Sequence, residues 1–327
     1  MKLLLRASCL CLLILFTVSM SSCANQQNQP EPTNAKPIVL GFAQVGEESV
    51  WRSANTQSII DAAKEAGIDL IFFNAQQSTE KQRKAIRSFI AQQVDVIAFS
   101  PNVEDEWDSV LEEAKAAGIP VIIVDRSIKT KDDSLYVTYF GSNMLEEGRR
   151  AGRWLVEKLK GASGDINIAE IRGNEKSDPT VSRSEGFREI IKPYPNMKIV
   201  LSEPADFLRS KGREVMNSFL GSGKKIDVLF SHNDDMALGA IKAIEEHGLR
   251  PGKDILIVSV DAIREAFEAM IAGKLNCTVE CNPLQGPRLM QIVKDIVANK
   301  VIPKRIEIPE DVFPSERAAE ELPNRKY

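Results

Sequence analysis

The sequence predicts an α/β protein whose parallel sheets are divided between two lobes. From residue 37 onward, short apolar segments alternate with segments of helical periodicity, a pattern typical of parallel sheets covered by helices. The stretch from Pro120 to Asp125 is apolar up to its closing carboxylate, as expected for a strand with helices on both faces. The chain continues to residue 327, which exceeds what one hydrophobic core usually holds. Because no Pro- or Gly-rich linker divides this length, we expect the chain to pass between the lobes more than once.

The first half should form one repeated series of strands and helices. Its predicted strands are residues 38–43, 69–74, 94–100, 120–125 and 136–140, and its predicted helices are residues 53–66, 78–92 and 104–117. Thr79, with Gln82 three residues later, forms a capping-box pattern at the start of the second helix. Gly118 follows the third helix, where a left-handed residue is usual. Residues 44–52 are expected to be the first strand-to-helix loop.

The second half repeats this series, which favours a second sheet built like the first. Its predicted helices are residues 143–160, 180–191, 208–220, 234–247, 263–272 and 286–299, and its predicted strands are residues 165–171, 198–201, 227–231, 254–260 and 275–281. The residues after 299 show neither periodicity, so we expect an irregular tail.

The N-terminal segment predicts export. Lys2 and Arg6 precede an almost wholly apolar run at residues 10–18, and Met20-Ser-Ser-Cys23 follows, as in a secretory signal. The last residues resemble a bacterial lipobox, so residues 1–23 are interpreted as a lipoprotein signal peptide and Cys23 as the lipidated residue. An ordinary signal peptide with an incidental cysteine is the alternative. Residues 24–37 carry no large apolar side chain and are expected to be a flexible tether.

Two cysteines remain in the part that should fold, Cys277 and Cys281. Four residues apart on an extended strand, their Cα atoms would be separated by about 13 Å at roughly 3.3 Å per residue. A disulfide needs Cα atoms within about 7 Å of each other. Both residues are therefore predicted to be free thiols.

Polar and aromatic side chains follow nearly every predicted strand, at the sheet edge where open α/β sheets bind ligands. The first-half residues are Glu48, Trp51, Arg52, Asn74, Gln76, Gln77, Ser100, Asp125 and Arg126, and the second-half residues are Arg183, Asp206, Phe207, Asn233, Asp234, Asp235 and Asp261. A sugar hydroxyl both donates and accepts a hydrogen bond, so a sugar site needs carboxylates and amides beside arginines. Aromatic rings such as Trp51 and Phe207 can cover the apolar face of a sugar. The set predicts a site for a neutral polyhydroxylated ligand.

Simpler structural roles are open for several of these residues. Asp125 and Asp261 could cap the helices that follow them. The two aromatic residues could belong to the core, and Arg126 and Arg183 could form surface ion pairs. Charges on the predicted helices near this edge, such as Glu146-Glu147, could be solvated faces or docking points.

Four motifs carry a resemblance to a known family: residues 41–52 (GFAQVGEESVWR), 121–127 (VIIVDRS), 206–212 (DFLRSKG) and 232–239 (HNDDMALG). The chain resembles the sugar-binding proteins of bacterial ABC importers, of the ribose/galactose-binding periplasmic class, over almost its whole length. Glu48 with the Trp51-Arg52 pair is the narrower signal, which is similar to the galactofuranose-binding members of that class.

The resemblance implies a type I periplasmic-binding-protein fold, with two similar lobes that are joined by three crossings and close like a hinge around a sugar. It implies a first lobe of residues 38–140 and 283–303 and a second lobe of residues 141–282 and 304–327. The implied ligand-binding residues are Glu48, Trp51, Arg52, Asp125, Arg126, Arg183, Phe207, Asn233 and Asp261. Cys281 stands where ribose-binding relatives carry an amide, so we do not count it among them.

Other functional classes are disfavoured. A net charge of −4 does not favour nucleic acid, and a sugar-responsive repressor would need a helix-turn-helix where this chain has its signal and tether. A glycosidase needs a carboxylic acid, whereas the carboxylates here stand beside arginines that hold them ionised. No phosphate loop or metal-ligand cluster is present in the sequence. We expect a monomeric, non-enzymatic protein without cofactor or metal, whose partners are a monosaccharide and the membrane permease of an ABC importer.

Overall fold

The computed structural model describes residues 36–327, so the predicted signal peptide, Cys23 and nearly all of the tether lie outside the described residues. In chain order, the first elements are β1 (Val39–Gln44), α1 (Val50–Ala66), β2 (Asp69–Asn74), α2 (Thr79–Ala91), β3 (Val96–Phe99), α3 (Asp108–Ala116), β4 (Val121–Val124) and β5 (Thr138–Gly141). The next are α4 (Met144–Lys158), β6 (Ile166–Arg172), α5 (Asp178–Ile191), β7 (Met197–Pro204), α6 (Arg209–Gly221), β8 (Val228–Ser231), α7 (Asp234–Glu246), β9 (Leu256–Asp261), α8 (Arg264–Ile271) and β10 (Cys277–Glu280). The chain ends with α9 (Gly286–Val297), β11 (Arg305–Glu307), β12 (Val312–Pro314) and α10 (Ala318–Glu321).

These strands form two six-stranded sheets. The first sheet has the order β11-β5-β4-β3-β1-β2, and all of its strands are parallel. The second has the order β12-β10-β9-β8-β6-β7, with β12 antiparallel to β10 and the other pairs parallel. The elements of each sheet and their covering helices are called here the first and the second lobe. The predicted α/β class with two parallel sheets is confirmed.

The chain crosses between the two sheets three times. The crossings follow β5, β10 and β11, and α9 packs against α1 of the first lobe. The expected lobe boundary at residue 304 is wrong for the tail, because Arg305–Glu307 pairs in parallel with Tyr139–Gly141 of the first sheet. The tail is also not irregular, since it adds one edge strand to each sheet. An edge strand of three residues is too short to show the alternation of apolar and polar residues by which a strand is recognised in a sequence.

Each lobe buries its sheet between layers of helices. Alternate residues of β3, such as Ile97 and Val96, enter two different apolar clusters, one on each face of the first sheet. The second lobe has one extended cluster that contains Phe187 and Phe230. Their stacked rings have centroids 4.2 Å apart. Covering both faces explains why β3 and β4 are apolar along their whole length.

Several helices begin elsewhere than predicted, and the largest difference is at α3, which starts at Asp108 and not at residue 104. The α1 helix starts at Val50, because the Ser49 side chain accepts a hydrogen bond from the Arg52 backbone N–H. Trp51 and Arg52 therefore lie in the first turn of a helix and not in a loop. The N-cap of α2 is Ser78, not Thr79, and its hydroxyl accepts from the Lys81 N–H at 3.3 Å.

Two further sequence predictions concern the whole described chain. Cys277 and Cys281 are both buried free thiols, as expected. Among residues 36–327, no helix has the length and apolarity that crossing a bilayer requires.

Candidate ligand-binding site

A cavity of about 20 Å³ lies between the two lobes, at the carboxyl ends of the strands of both sheets. We call this cavity the cleft. All nine residues that were predicted to bind ligand line it: Glu48, Trp51, Arg52, Asp125, Arg126, Arg183, Phe207, Asn233 and Asp261. The structure also brings Ser49, Met144, Pro179 and Cys281 to its wall.

Arg52 is the centre of the first-lobe wall. Its Nη2 donates to Asp125 Oδ2 at 2.7 Å and its Nε to Glu48 Oε1 at 3.1 Å. Its Nη1 reaches Gln44 Oε1 at 3.3 Å and Ser100 Oγ at 3.4 Å. Burial disfavours this charged group, but the attraction of Asp125 and Glu48 prevails and raises the pKa of Arg52 above its ordinary value. Arg52 is thereby fixed as a rigid cation.

Backbone geometry places Asp125 within reach of Arg52. Asp125 has φ +66°, a left-handed conformation that turns its side chain into the cleft after β4. Its Oδ2 accepts from Ser100 Oγ at 3.1 Å as well as from Arg52. A helix-capping role for Asp125, one of the simpler alternatives, does not match these partners.

Arg126 and Glu48 each leave one polar atom available on the same wall. Arg126 Nη2 donates to Glu48 Oε1 at 3.1 Å. Glu48 Oε2 and Arg126 Nε are buried and have no hydrogen-bond partner among the described residues. Burial and the nearby Arg52 charge lower the pKa of Arg126. An acceptor and a donor of this kind, on neighbouring side chains, can bind one hydroxyl group together.

Arg183 is the centre of the second-lobe wall. Its Nε donates to Glu147 Oε2 at 2.7 Å and its Nη1 to the His232 carbonyl at 2.6 Å. Its Nη2 lies 3.7 Å from Asp261 Oδ1. Burial raises the pKa of Asp261 well above its usual range, although Arg183 opposes this. Arg183 is 3% exposed, so its ion pair is an interior one and not a surface pair.

Glu147 was misjudged from the sequence. It is fully buried and holds Arg183, whereas the neighbouring Glu146 is partly exposed and pairs with arginines of α4. Residue type alone does not distinguish the two glutamates, because the partner of Glu147 belongs to another helix. Helical periodicity around α4 could have found it, since Met144, Gly148 and Ala151 share its buried face.

Asn233 and Phe207 complete this wall. Asn233 caps α7, with Oδ1 accepting from the Met236 N–H at 2.9 Å, and its Nδ2 donates to the Phe207 carbonyl at 3.3 Å. Phe207 has φ +65° and packs against Gly173, where a Cβ would lie 1.9 Å from the ring. Only glycine allows this approach. Across the cleft, the Arg126 guanidinium lies 5.2 Å from the centre of the Phe207 ring.

Trp51 contacts both lobes. It belongs to α1 of the first lobe, but its ring is buried with the apolar cluster of the second lobe. Its Nε1 donates to the Cys281 carbonyl at 2.5 Å, and the Arg52 guanidinium lies 4.6 Å above its ring. Trp51 is therefore both a core residue and a cleft residue, and the two interpretations made from the sequence are compatible.

One group of side chains beside the cleft could in principle hold a metal ion. Within residues 36–327, ligand atoms of Glu147, Cys281 and Glu310 lie within 4.8 Å of one another. Protein donors already use part of this set: Arg183 binds Glu147, and Ser142 Oγ donates to Glu310 Oε1 at 2.5 Å. The set is best described as a hydrogen-bonded cluster at the crossings.

The cleft balances charge and offers many directional hydrogen-bonding groups. Its arginines are Arg52, Arg126 and Arg183, and the carboxylates on or directly behind its walls are Glu48, Asp125, Glu147 and Asp261. Because most of these charges neutralise one another, the cleft suits a neutral ligand with several hydroxyl groups better than an ion.

Comparisons with known proteins agree with this geometry. A family model described as "Periplasmic binding protein domain" matches residues 40–300. The galactofuranose-binding protein YtfQ of Escherichia coli (strain K12) is 41% identical over 89% of this chain and 92% of its own length. A crystal structure from Mycobacterium smegmatis in complex with β-D-fucofuranose has 51% identity and a TM-score of 0.87, and covers 89% of this chain and 95% of that one.

A third relative is the periplasmic binding protein of the arabinose ABC transporter from Shewanella sp. ANA-3, bound to α- and β-L-arabinofuranose. It has 47% identity and a TM-score of 0.85, with 88% of this chain and 95% of that chain covered. The matched family consists of solute-binding proteins, so this is a binding protein and not an enzyme. Because the matches extend along most of the sequence, the chain belongs to the periplasmic binding protein family.

Proposed function

We propose that this protein is the substrate-binding component of an ABC sugar importer and that its ligand is a monosaccharide in the furanose form, similar to galactofuranose. Three relatives support the ring form, since they bind galactofuranose, fucofuranose and arabinofuranose. Another pentose, hexose or polyol is the alternative ligand.

The observation that carries the proposal is the cleft, where hydrogen-bond donors and acceptors from both lobes surround one space. Glu48 Oε2 and Arg126 Nε offer an unused acceptor and an unused donor on one side. Arg183 Nη2 and Asp261 Oδ1, which lie 3.7 Å apart, form a donor and acceptor pair on the other side. Each pair matches a hydroxyl group, which donates and accepts at once.

We assign a role to each kind of residue around the sugar. The carboxylates and arginines bind hydroxyl groups, with Asn233 as a further polar contact. Trp51 and Phe207 lie against the apolar ring face. Closure of the lobes about the three crossings then encloses the sugar for delivery to the permease. We take residues 38–141 and 283–307 as the first closing body and residues 143–281 and 311–327 as the second.

Calorimetric titration tests the ligand class. L-Arabinose, D-galactose, D-fucose and D-ribose are added to the mature protein, with sucrose as a control too large for the cleft. We expect binding of at least one of the first three sugars and none of sucrose. If none of the monosaccharides binds at millimolar concentration, the proposal is wrong.

We further propose that the protein is exported and anchored through Cys23, with residues 24–37 as the tether. The sequence of residues 1–23 supports this interpretation. Cells expressing the full chain are labelled with palmitate, and we expect the label in the wild type and its loss in Cys23→Ser. An unlabelled wild type that is still cleaved and released would support an ordinary signal peptide instead.

A further inference from the structure

Two carboxylates of the second lobe bind backbone N–H groups of the first lobe. Asp235 Oδ2 accepts from the Val50 N–H at 2.9 Å, and Asp178 Oδ2 accepts from the Ser127 N–H at 2.8 Å. We call Asp178 and Asp235 the bridging carboxylates. They are 6% and 4% exposed, and neither belongs to the wall of the cleft.

The two backbone groups that they bind are adjacent to the sugar-binding residues of the first lobe. Val50 is the first residue of α1 and directly precedes Trp51 and Arg52. Its N–H is one of the first groups of the helix, which have no intrahelical carbonyl to which they can donate. Ser127 directly follows Asp125 and Arg126. Each bridging carboxylate therefore restrains one of the two segments that carry the first-lobe wall.

Both carboxylates are held in place within their own lobe. Arg209 contacts Asp235 Oδ1 at 2.7 Å, and Ser182 Oγ donates to Asp178 Oδ1 at 2.6 Å. Asp178 and Asp235 also lie in the first turns of α5 and α7, where the helix dipole favours a negative charge. In each case one carboxylate oxygen is used within the lobe and the other reaches across the cleft.

We propose that Asp178 and Asp235 are positioning residues for sugar binding, which stabilise the closed state without touching the sugar. This inference rests on the proposed function, since it assumes that the lobes close around a ligand. The open protein loses both bonds, so they contribute to the free energy of closure and not to the choice of sugar. Their removal should raise the dissociation rate of every sugar by the same factor.

The test compares single alanine variants with the wild type by titration and stopped-flow measurement with D-galactose and L-arabinose. A hydrogen bond to a charged group contributes enough for about a tenfold effect. We expect Asp178→Ala and Asp235→Ala each to lower the affinity for both sugars about tenfold, through faster dissociation. The ratio of the two affinities should stay unchanged. Asp178→Asn should keep near-normal affinity, because its Oδ1 can accept from Ser127 and its Nδ2 can donate to the Ser182 hydroxyl.

A matched control is Asp227→Ala, which also removes a carboxylate bound to a backbone N–H. Asp227 Oδ2 accepts from the Asn167 N–H at 2.9 Å, but both residues lie in the second lobe. We expect this variant to lower the melting temperature of the unliganded protein while its affinity stays unchanged. Asp178→Ala and Asp235→Ala should weaken sugar binding whether or not they lower this melting temperature, because each carboxylate also bonds within its own lobe. The proposal would be overturned if Asp178→Ala and Asp235→Ala both bound sugar like the wild type. It would also be overturned if they lowered only the melting temperature and left the affinity unchanged.

Amide hydrogen exchange separates failure of this inference from failure of the proposed function. In the sugar-saturated protein, the Val50 amide should exchange faster only in Asp235→Ala and the Ser127 amide only in Asp178→Ala. If the wild type binds neither sugar, the proposed function fails. If the wild type binds sugar but all variants exchange these two amides equally in the sugar-saturated state, the bridges are overturned and the proposed function stands.

Discussion

At the scale of single residues, Trp51 connects the wall of the cleft with a crossing between the lobes. Its ring lines the cleft and is only 4% exposed, and its indole N–H bonds to the carbonyl of Cys281 at a crossing. Arg52 lies over the same ring. A side chain with these three contacts is restrained before the sugar arrives, which reduces the entropy lost on binding.

Trp51→Phe tests this connection because it keeps a ring but removes the indole N–H. A neutral hydrogen bond contributes about 1 kcal/mol, so we expect affinity for the best sugar of the panel to fall about fivefold. Calorimetric titration measures the change. Trp154→Phe, which alters a partly buried tryptophan of α4, is the control and should bind like the wild type. Equal affinities for all three proteins would remove the indole N–H from recognition.

Residue types at strand ends were enough to predict which side chains line the cleft, but not how they are held. All nine predicted residues face one cavity because the carboxyl ends of parallel strands meet at one edge. Glu147 was missed, since its partner Arg183 belongs to another helix that only the tertiary fold brings near. The position of Asn233 directly after β8 predicted a cleft residue, but it did not predict that the same side chain caps α7.

At the scale of secondary structure, the order of strands and helices was predictable, whereas several ends were not. The start of α1 lies at Val50 and not at the predicted residue 53, because the Ser49 side chain accepts a hydrogen bond from the Arg52 N–H and caps the helix there. The strands β11 and β12 were unpredictable because each has only three residues and takes its register from a neighbouring strand. Element ends thus depend on tertiary partners more than on local propensity.

Asp234 joins four elements of the second lobe. From the start of α7, its carboxylate accepts from the hydroxyls of Ser259 in β9 and Thr278 in β10, and from the Ile263 N–H before α8. Burial raises the pKa of Asp234 to about 7, although the hydrogen bonds from Ser259 and Ile263 oppose the shift. The folded protein therefore holds a proton here that the unfolded chain releases near its ordinary pKa.

This difference predicts a pH-dependent stability. Between the unfolded pKa of about 4 and the folded pKa, the folded state binds more protons, so the free energy of unfolding falls as pH rises. We expect a lower melting temperature at pH 8 than at pH 5, and a smaller decrease in Asp234→Asn. Asp254→Asn is the control, because Asp254 has a pKa of about 2 and stays ionised throughout. An identical slope in Asp234→Asn and the wild type would contradict this account.

At the scale of the whole molecule, one carboxyl group connects the three crossings. Glu310 lies on the third, and its Oε1 accepts from Ser142 Oγ on the first at 2.5 Å and from the Asn282 N–H on the second at 3.0 Å. Burial and the adjacent Glu147 raise the pKa of Glu310 well above its usual range. A protonated Glu310 can donate to Glu147 Oε1, which otherwise has no partner in the described chain.

Glu310→Gln and Glu310→Ala distinguish a neutral carboxyl from a charged one. Glutamine keeps the acceptor oxygen and can donate to Glu147, so we expect a melting temperature near that of the wild type at pH 7. Alanine removes two hydrogen bonds of about 1 kcal/mol each and should lower the melting temperature by several degrees. Thermal denaturation measures both. A glutamine variant as unstable as the alanine variant would show that Glu310 is ionised.

The central claim is that the cleft selects a furanose sugar, and carbon NMR of the best-binding sugar of the panel, labelled with ¹³C at its anomeric carbon, tests it most directly. In solution this sugar exchanges between ring forms, and the chemical shift of the labelled anomeric carbon differs between them. We predict that the signal of the bound sugar has the furanose shift and disappears in Arg52→Met, which removes the central cation of the first-lobe wall. A bound signal with the pyranose shift, or no bound signal at millimolar sugar, would contradict the account.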